Sequence, residues 1–190
     1  MRYWDYYIVL ESDFLACRRY VEFSSANLGT YSVEFMHLLF AASTEAEIVL
    51  KQLCTRLGEK DAATIVQWRS TLEPKLNLSS FRVQNIIMSI DMSPFPEWQT
   101  VNSPSWWLAY NGVKHNRSLK FENATLLNCI NALAGLFVAN LYHEHEAFKG
   151  ADLEPQSCLF KPILSSRPLI SRQLGVVGYS LPNAHKLGAS

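Results

Sequence analysis

The chain has 190 residues, 48% of them hydrophobic and 18% charged, with 17 Lys and Arg against 17 Asp and Glu. That composition belongs to a globular protein long enough for one well-filled core, and the absence of net charge excludes a global attraction to nucleic acid or membrane. Any anionic partner has to be met by a local patch.

At the N-terminus the apolar run YYIVL is short and bracketed by Asp5 and Glu11, which fits neither a signal peptide nor a membrane span. A cytoplasmic protein without a membrane partner is expected. From about Tyr3 to Phe23, the residues Tyr6, Leu10, Phe14, Cys17 and Val21 recur at spacings of three and four, which predicts an amphipathic first helix. Glu11, Asp13, Arg18, Arg19 and Glu22 fall on its polar side. The turn formers SSANLGTYS interrupt the pattern, and Ser32 is placed to cap a second helix from about Val33 to Leu57, with Gly58 as its stop signal. The apolar stripe of that helix is too broad for one neighbour, so it should be central. Glu47 and Lys51 stand four apart in the favourable order for an exposed pair, and Glu45 reads as a solvated carboxylate.

Asp61 is placed to cap a shorter helix from about Ala62 to Leu72, ended by Pro74. From Lys75 to Asn102 the signals are mixed. Phe81, Val83 and the run IIMSI suit a strand or a buried extended segment, and Pro94 and Pro96 keep the residues after them irregular.

Ser103 to Lys120, SPSWWLAYNGVKHNRSLK, concentrates the polar chemistry. Ser103 and Pro104 have the form of a helix cap and first residue. At 3.6 residues per turn, Trp107, Asn111, His115 and Ser118 share one stripe, and Trp106, Tyr110, Val113 and Arg117 another. Gly112 in mid-helix suggests that a neighbour approaches closely. A final long helix is predicted from about Glu122 to Phe148, closed by Gly150 and packed on the second helix, with Ala132, Ala134 and Gly135 admitting a close neighbour. The HEHE run at 143–146 diverges around a helix, so no metal is expected there. Cys17, Cys54, Cys129 and Cys158 form no metal-ligand spacing and read as reduced. The tail from Leu153 to Ser190 is rich in Pro and Gly, yet too apolar to stay free, and should pack on its own body or on another subunit.

Two long helices, a short one, a connection and then a helix bearing Y-N-x-x-K-H-x-R before a last long helix resemble the HEPN superfamily (higher eukaryotes and prokaryotes nucleotide-binding) over roughly residues 3–149. The hallmark of that superfamily is an arginine, commonly followed by a polar residue, with a histidine four to six positions after the arginine. Asn111 matches the polar position and His115 the histidine, while Tyr110 stands where the arginine would be. The resemblance implies an all-α fold, an antiparallel helical bundle over residues 1–150, followed by an irregular, mostly non-helical C-terminal extension over 151–190. It also implies a metal-independent endoribonuclease of a toxin or phage-defence type, acting as a homodimer without a cofactor.

His115, Asn111 and Arg117 are then the catalytic candidates, and Lys114, Tyr110 and Lys120 the substrate-binding ones. On a continuous helix Arg117 points about 200° away from His115. The two meet one phosphate only if the helix ends near Asn116 or if the site is built across a dimer. Two other readings stand beside this one. The first is a catalytically inactive nucleotide-binding or regulatory subunit, with RNA or nucleotide as ligand and a nucleotidyltransferase-like or antitoxin partner. The second is a purely structural all-α oligomer.

Overall fold

The computed structural model describes residues 1–100, 103–145, 153–163, 169–171, 176–178, 181–184 and 186. The described part is mostly helical, with α1 (Tyr3–Ala16), α2 (Val33–Arg56), α3 (Ile65–Leu76), α4 (Ser105–His115), α5 (Arg117–Lys120) and α6 (Leu126–His145). Short strands accompany them: β1 (Val83–Asn85), β2 (Ile90–Met92), β3 (Phe160–Pro162), β4 (Leu169–Ser171) and β5 (Val176–Gly178).

Local chemistry sets α2 as the sequence predicts. The Ser32 hydroxyl accepts the Phe35 N–H at 3.1 Å. Beyond the other end Gly58 takes φ 93°, the left-handed conformation that closes a helix. Phe35, Leu39, Ala42, Ala46, Val49, Leu50 and Leu53 are buried along it, and α6 lies against this face. Met36 of α2 meets Ala124, just before α6, and Arg56 meets His143 near the two C-termini. The two long helices therefore run in the same direction.

This departs from a simple antiparallel bundle. The long connection from 57 to 125 carries the chain back to the start of α2, and α1 and α4 supply the antiparallel neighbours. The Thr30 and Leu28 carbonyls accept the N–H groups of Leu126 and Leu127, fixing where α6 begins. Leu126–Glu144 is long and apolar enough to cross a membrane by length and composition, but 83% of it is buried inside the protein. The predicted closure of this helix at Phe148 and Gly150 lies outside the described residues.

The buried face of α1 is rotated from the expected one. Trp4, Tyr7, Leu10, Glu11 and Phe14 are buried, so Glu11, polar surface by its spacing, sits in the core stripe. Its carboxylate is fully engaged. It accepts from the Tyr7 hydroxyl at 2.7 Å, the Cys158 N–H at 2.8 Å, the Leu159 N–H at 3.1 Å and the Ser157 hydroxyl. Burial and the Glu11 charge hold the Tyr7 phenol well above its ordinary pKa. The helix also stops at Ala16 instead of continuing to Phe23; a tight turn over Cys17–Arg19 brings the Phe23 ring to 4.6 Å from Phe14.

Two helix starts are corrected as well. α3 is capped by Thr64, whose hydroxyl accepts the Gln67 N–H while Gln67 returns a bond to the Thr64 N–H. Pro74 lies inside α3 on its exposed side, and buried Leu72 and Leu76 carry the helix past it to Asn77, which takes φ 56°. At α4 the cap is not Ser103. The Glu97 carboxylate accepts the Ser105 N–H at 3.0 Å and the Ser105 hydroxyl at 2.7 Å, placing negative charge at the helix N-terminus.

The mixed region after α3 folds as a hairpin of β1 and β2. β3 adds to the other edge of β1, giving the antiparallel order β2-β1-β3 with Val83 opposite both Met92 and Pro162. The first part of the extension is thus tied to the body by backbone pairing and by Glu11. Backbone pairing also joins β4 to β5.

Replacing Glu11 by Ala should cost about 3 kcal/mol in chemical denaturation, because buried donors lose their acceptor, with Glu11→Gln intermediate. A Cβ at Gly135 would stand 2.9 Å from Trp106 Cζ2. The Trp106 indole is held by its N–H bond to the Pro94 carbonyl at 2.8 Å. Gly135→Ala should therefore destabilise by about 1–3 kcal/mol through overpacking, although alanine is the better helix former. An unchanged denaturation midpoint would contradict this.

Candidate functional site

Helix α4 runs from the core out to solvent. Trp106, Trp107, Ala109, Tyr110 and Val113 are buried, Asn111 and Gly112 are half-buried, and Lys114 and His115 are exposed. Along the stripe singled out in the sequence, Trp107 thus lies in the core, Asn111 at its edge and His115 outside. Val113 holds the C-terminal turn by packing with Met36 and Ala124.

The helix then breaks. Asn116 takes φ −146°, ψ 59°, outside helical values, and Arg117 opens α5 as a separate turn. Arg117 and Val113 therefore do not continue one stripe. The chain reverses, and the Lys120 side chain returns against α4, its Cγ 3.8 Å from where a Gly112 Cβ would stand. That is ordinary van der Waals contact, so Gly112 is not required by a close approach; the position that is so required lies at Gly135, under Trp106.

His115 is exposed at the apex of this reversal and makes no hydrogen bond or ion pair among the described residues. Lys114, Arg117 and Lys120 are exposed around it, and no acidic residue occurs from Ser103 to Phe121. The structure does not join Asn111, His115 and Arg117 by hydrogen bonds. The Asn111 amide instead donates to the Trp107 carbonyl at 3.1 Å.

It does join Tyr110 and Lys114. The Lys114 ammonium donates to the Tyr110 hydroxyl at 3.1 Å and lies 5.1 Å from the ring centroid. Tyr110 is itself packed edge-on against Phe40 and lies 3.4 Å from the Thr44 hydroxyl. The bond to Tyr110, with the more distant Glu47 charge, raises the Lys114 pKa. A buried phenol thus anchors a cation one helical turn later.

Sequence reasoning missed the groove beside this pair. Tyr6, His37, Phe40, Ala41, Thr44 and Glu45 line a space of about 400 Å³ between α1 and α2. A signal was available in the i, i+3, i+4, i+7, i+8 spacing of the five α2 residues. The expected pair does form next to it, with the Lys51 ammonium 2.5 Å from Glu47.

The HEHE run belongs to a different cluster. The Nε2 atom of His143 faces Arg56 Nη2 at 3.1 Å and its Nδ1 faces Glu144 Oε1 at 3.1 Å. Arginine only donates, so Nε2 is the acceptor and Nδ1 carries the proton. Among the described residues no group of three His, Cys, Asp or Glu side chains is arranged to hold a metal; Glu146 lies outside them.

Burial and the Arg56 charge lower the His143 pKa, with Glu144 opposing them. The folded state therefore binds fewer protons than the unfolded one as pH falls below the ordinary histidine value near 6.5. The stability from neutral His143 is complete above that value and is lost progressively as pH drops through the lowered one. Denaturation midpoints from pH 7.5 to 5 should decline, and His143→Gln should flatten the decline; equal slopes would refute this origin. No protein-family model, curated protein or solved structure matches the chain.

Proposed function

We propose that the chain is a HEPN-like endoribonuclease that needs no metal and works as a homodimer, with His115 as its proton-transfer group. The observation that supports this reading most is the break at Asn116 directly after an exposed, unbonded His115. It releases Arg117 from the opposite face of a continuous helix and brings Lys120 back beside α4.

Cleavage of RNA by its own 2′-hydroxyl forms a bond from that oxygen to phosphorus and breaks the bond to the 5′-oxygen. A base takes the 2′-hydroxyl proton, an acid gives one to the leaving oxygen, and positive charge stabilises the negative charge gathering on the phosphate. His115 offers an imidazole for the proton transfers, and Lys114, Arg117 and Lys120 supply charge. Asn111 supports the turn below His115 and retains a carbonyl oxygen to orient a donor. In a toxin or phage-defence setting such an activity is held in check by an antitoxin or nucleotidyltransferase-like partner.

A second reading is favoured by Tyr110. The hallmark arginine position is occupied by a buried phenol already engaged by Thr44 and Lys114, as suits a catalytically silent relative that binds nucleotides or regulates a partner.

The experiment is cleavage of single-stranded RNA in EDTA. His115→Ala should reduce the rate by about 10²-fold or more while leaving the melting temperature unchanged, since the ring is exposed. Undiminished cleavage by that variant would sink the assignment. A nucleotide-dependent thermal shift without cleavage would establish the second reading.

A further inference from the structure

The groove between α1 and α2 carries a chemistry that the apex of α4 lacks. Glu45 is half-buried in its wall and has no hydrogen-bond or ion-pair partner among the described residues. Burial alone raises its pKa, as for a carboxylate that has lost water without gaining a donor. Phe40 and Tyr6, both half-buried, provide aromatic surface in the same groove. Thr44 connects it to the basic edge, because its hydroxyl touches the Tyr110 oxygen to which the Lys114 ammonium is bonded. An open groove thus has a carboxylate on its wall and a held cation beyond one hydroxyl.

An ionised carboxylate is an acceptor only, with two oxygens that suit two adjacent donors. Among the four bases, guanine alone offers two neighbouring donors on its pairing edge, N1–H and the N2 amine. Adenine and cytosine each set one amine beside a ring-nitrogen acceptor, and uracil places its single N–H between two carbonyls. Unpaired RNA bases are read in this manner, stacked on aromatic rings and hydrogen-bonded on the pairing edge.

We propose that this groove binds an unpaired guanine of single-stranded RNA, with Glu45 accepting N1–H and N2–H, Phe40 and Tyr6 packing on the ring, and Lys114 meeting the phosphate. The inference rests on the ribonuclease reading for its choice of RNA and gives that reading a base preference.

The test is calorimetric titration of the full-length chain at pH 7.5 with GMP, AMP, CMP and UMP, and with the pentamers UUGUU and UUAUU carrying 2′-O-methyl sugars to prevent cleavage. Guanine should be preferred by about tenfold or more, the worth of a charged hydrogen-bond pair. Glu45→Gln should bring the bases to parity, and Lys114→Gln should weaken all of them alike. A preference seen with the pentamers supports RNA as the source, and one seen only with GMP supports the guanine site with a free nucleotide as its ligand. Equal or absent binding of the four bases in the wild-type chain overturns the proposal, as does a preference that survives in a folded Glu45→Gln. RNA cleavage that depends on His115 but shows no guanine preference removes the groove and leaves the ribonuclease reading standing; guanine binding without cleavage does the reverse.

Discussion

The contact between Trp106 and Gly135 sets the position of α4, and with it the exposed basic turn at the end of that helix. A Cβ on Gly135 would leave no room for the indole, so only glycine lets α4 lie this close to α6. The indole N–H bond to Pro94 and the Glu97 cap on Ser105 fix the same end of α4 from the other side. Its start is held by the Trp106 indole and the Glu97 cap, and Val113 packs its last turn with Met36 and Ala124. That end carries His115.

The basic edge follows from the same placement. A chain of zero net charge has no long-range field with which to gather polyanions, so any charge it offers must be gathered locally. The reversal at Asn116 does this by folding a four-residue helix back on the end of α4. It is helped by the α4 dipole, whose negative end favours cations there. Lys114 is unlike the other two cations in being held: its ammonium rests on a phenol that is itself packed between Phe40 and Thr44. A held cation sacrifices less side-chain entropy when it meets a ligand than a free lysine does.

What is legible in the sequence is what local rules decide. Ser32 and Gly58 bound α2, the Glu47–Lys51 spacing forms its pair, and the apolar breadth of α6 marks a buried helix. What is not legible depends on partners distant in the chain. Glu11 looks like surface because three of its four donors lie 146 to 148 residues away, and periodicity alone selects the wrong stripe of α1 for that reason. β1 gives a mixed signal because one of its two neighbours is supplied by residues 160–162. Pro74 has the form of a stop because the pull of Leu72 and Leu76 into the core is a tertiary effect. The stripe bearing Asn111 and His115 is readable from spacing, but the break at Asn116 is not, since no Pro or Gly stands there.

The link between Glu11 and residues 157–159 has a bearing on how the molecule comes into being. Helix α1 is made well over a hundred residues before Ser157, Cys158 and Leu159, which supply three of the four donors to its buried carboxylate. Until they arrive, the N-terminal helix can settle against α2 and α6 only by stranding a charge away from water or by staying partly undocked. Residues 157–159 are therefore the latch of the first helix, and a chain cut before them would retain the six described helices and lack the part that lets α1 close.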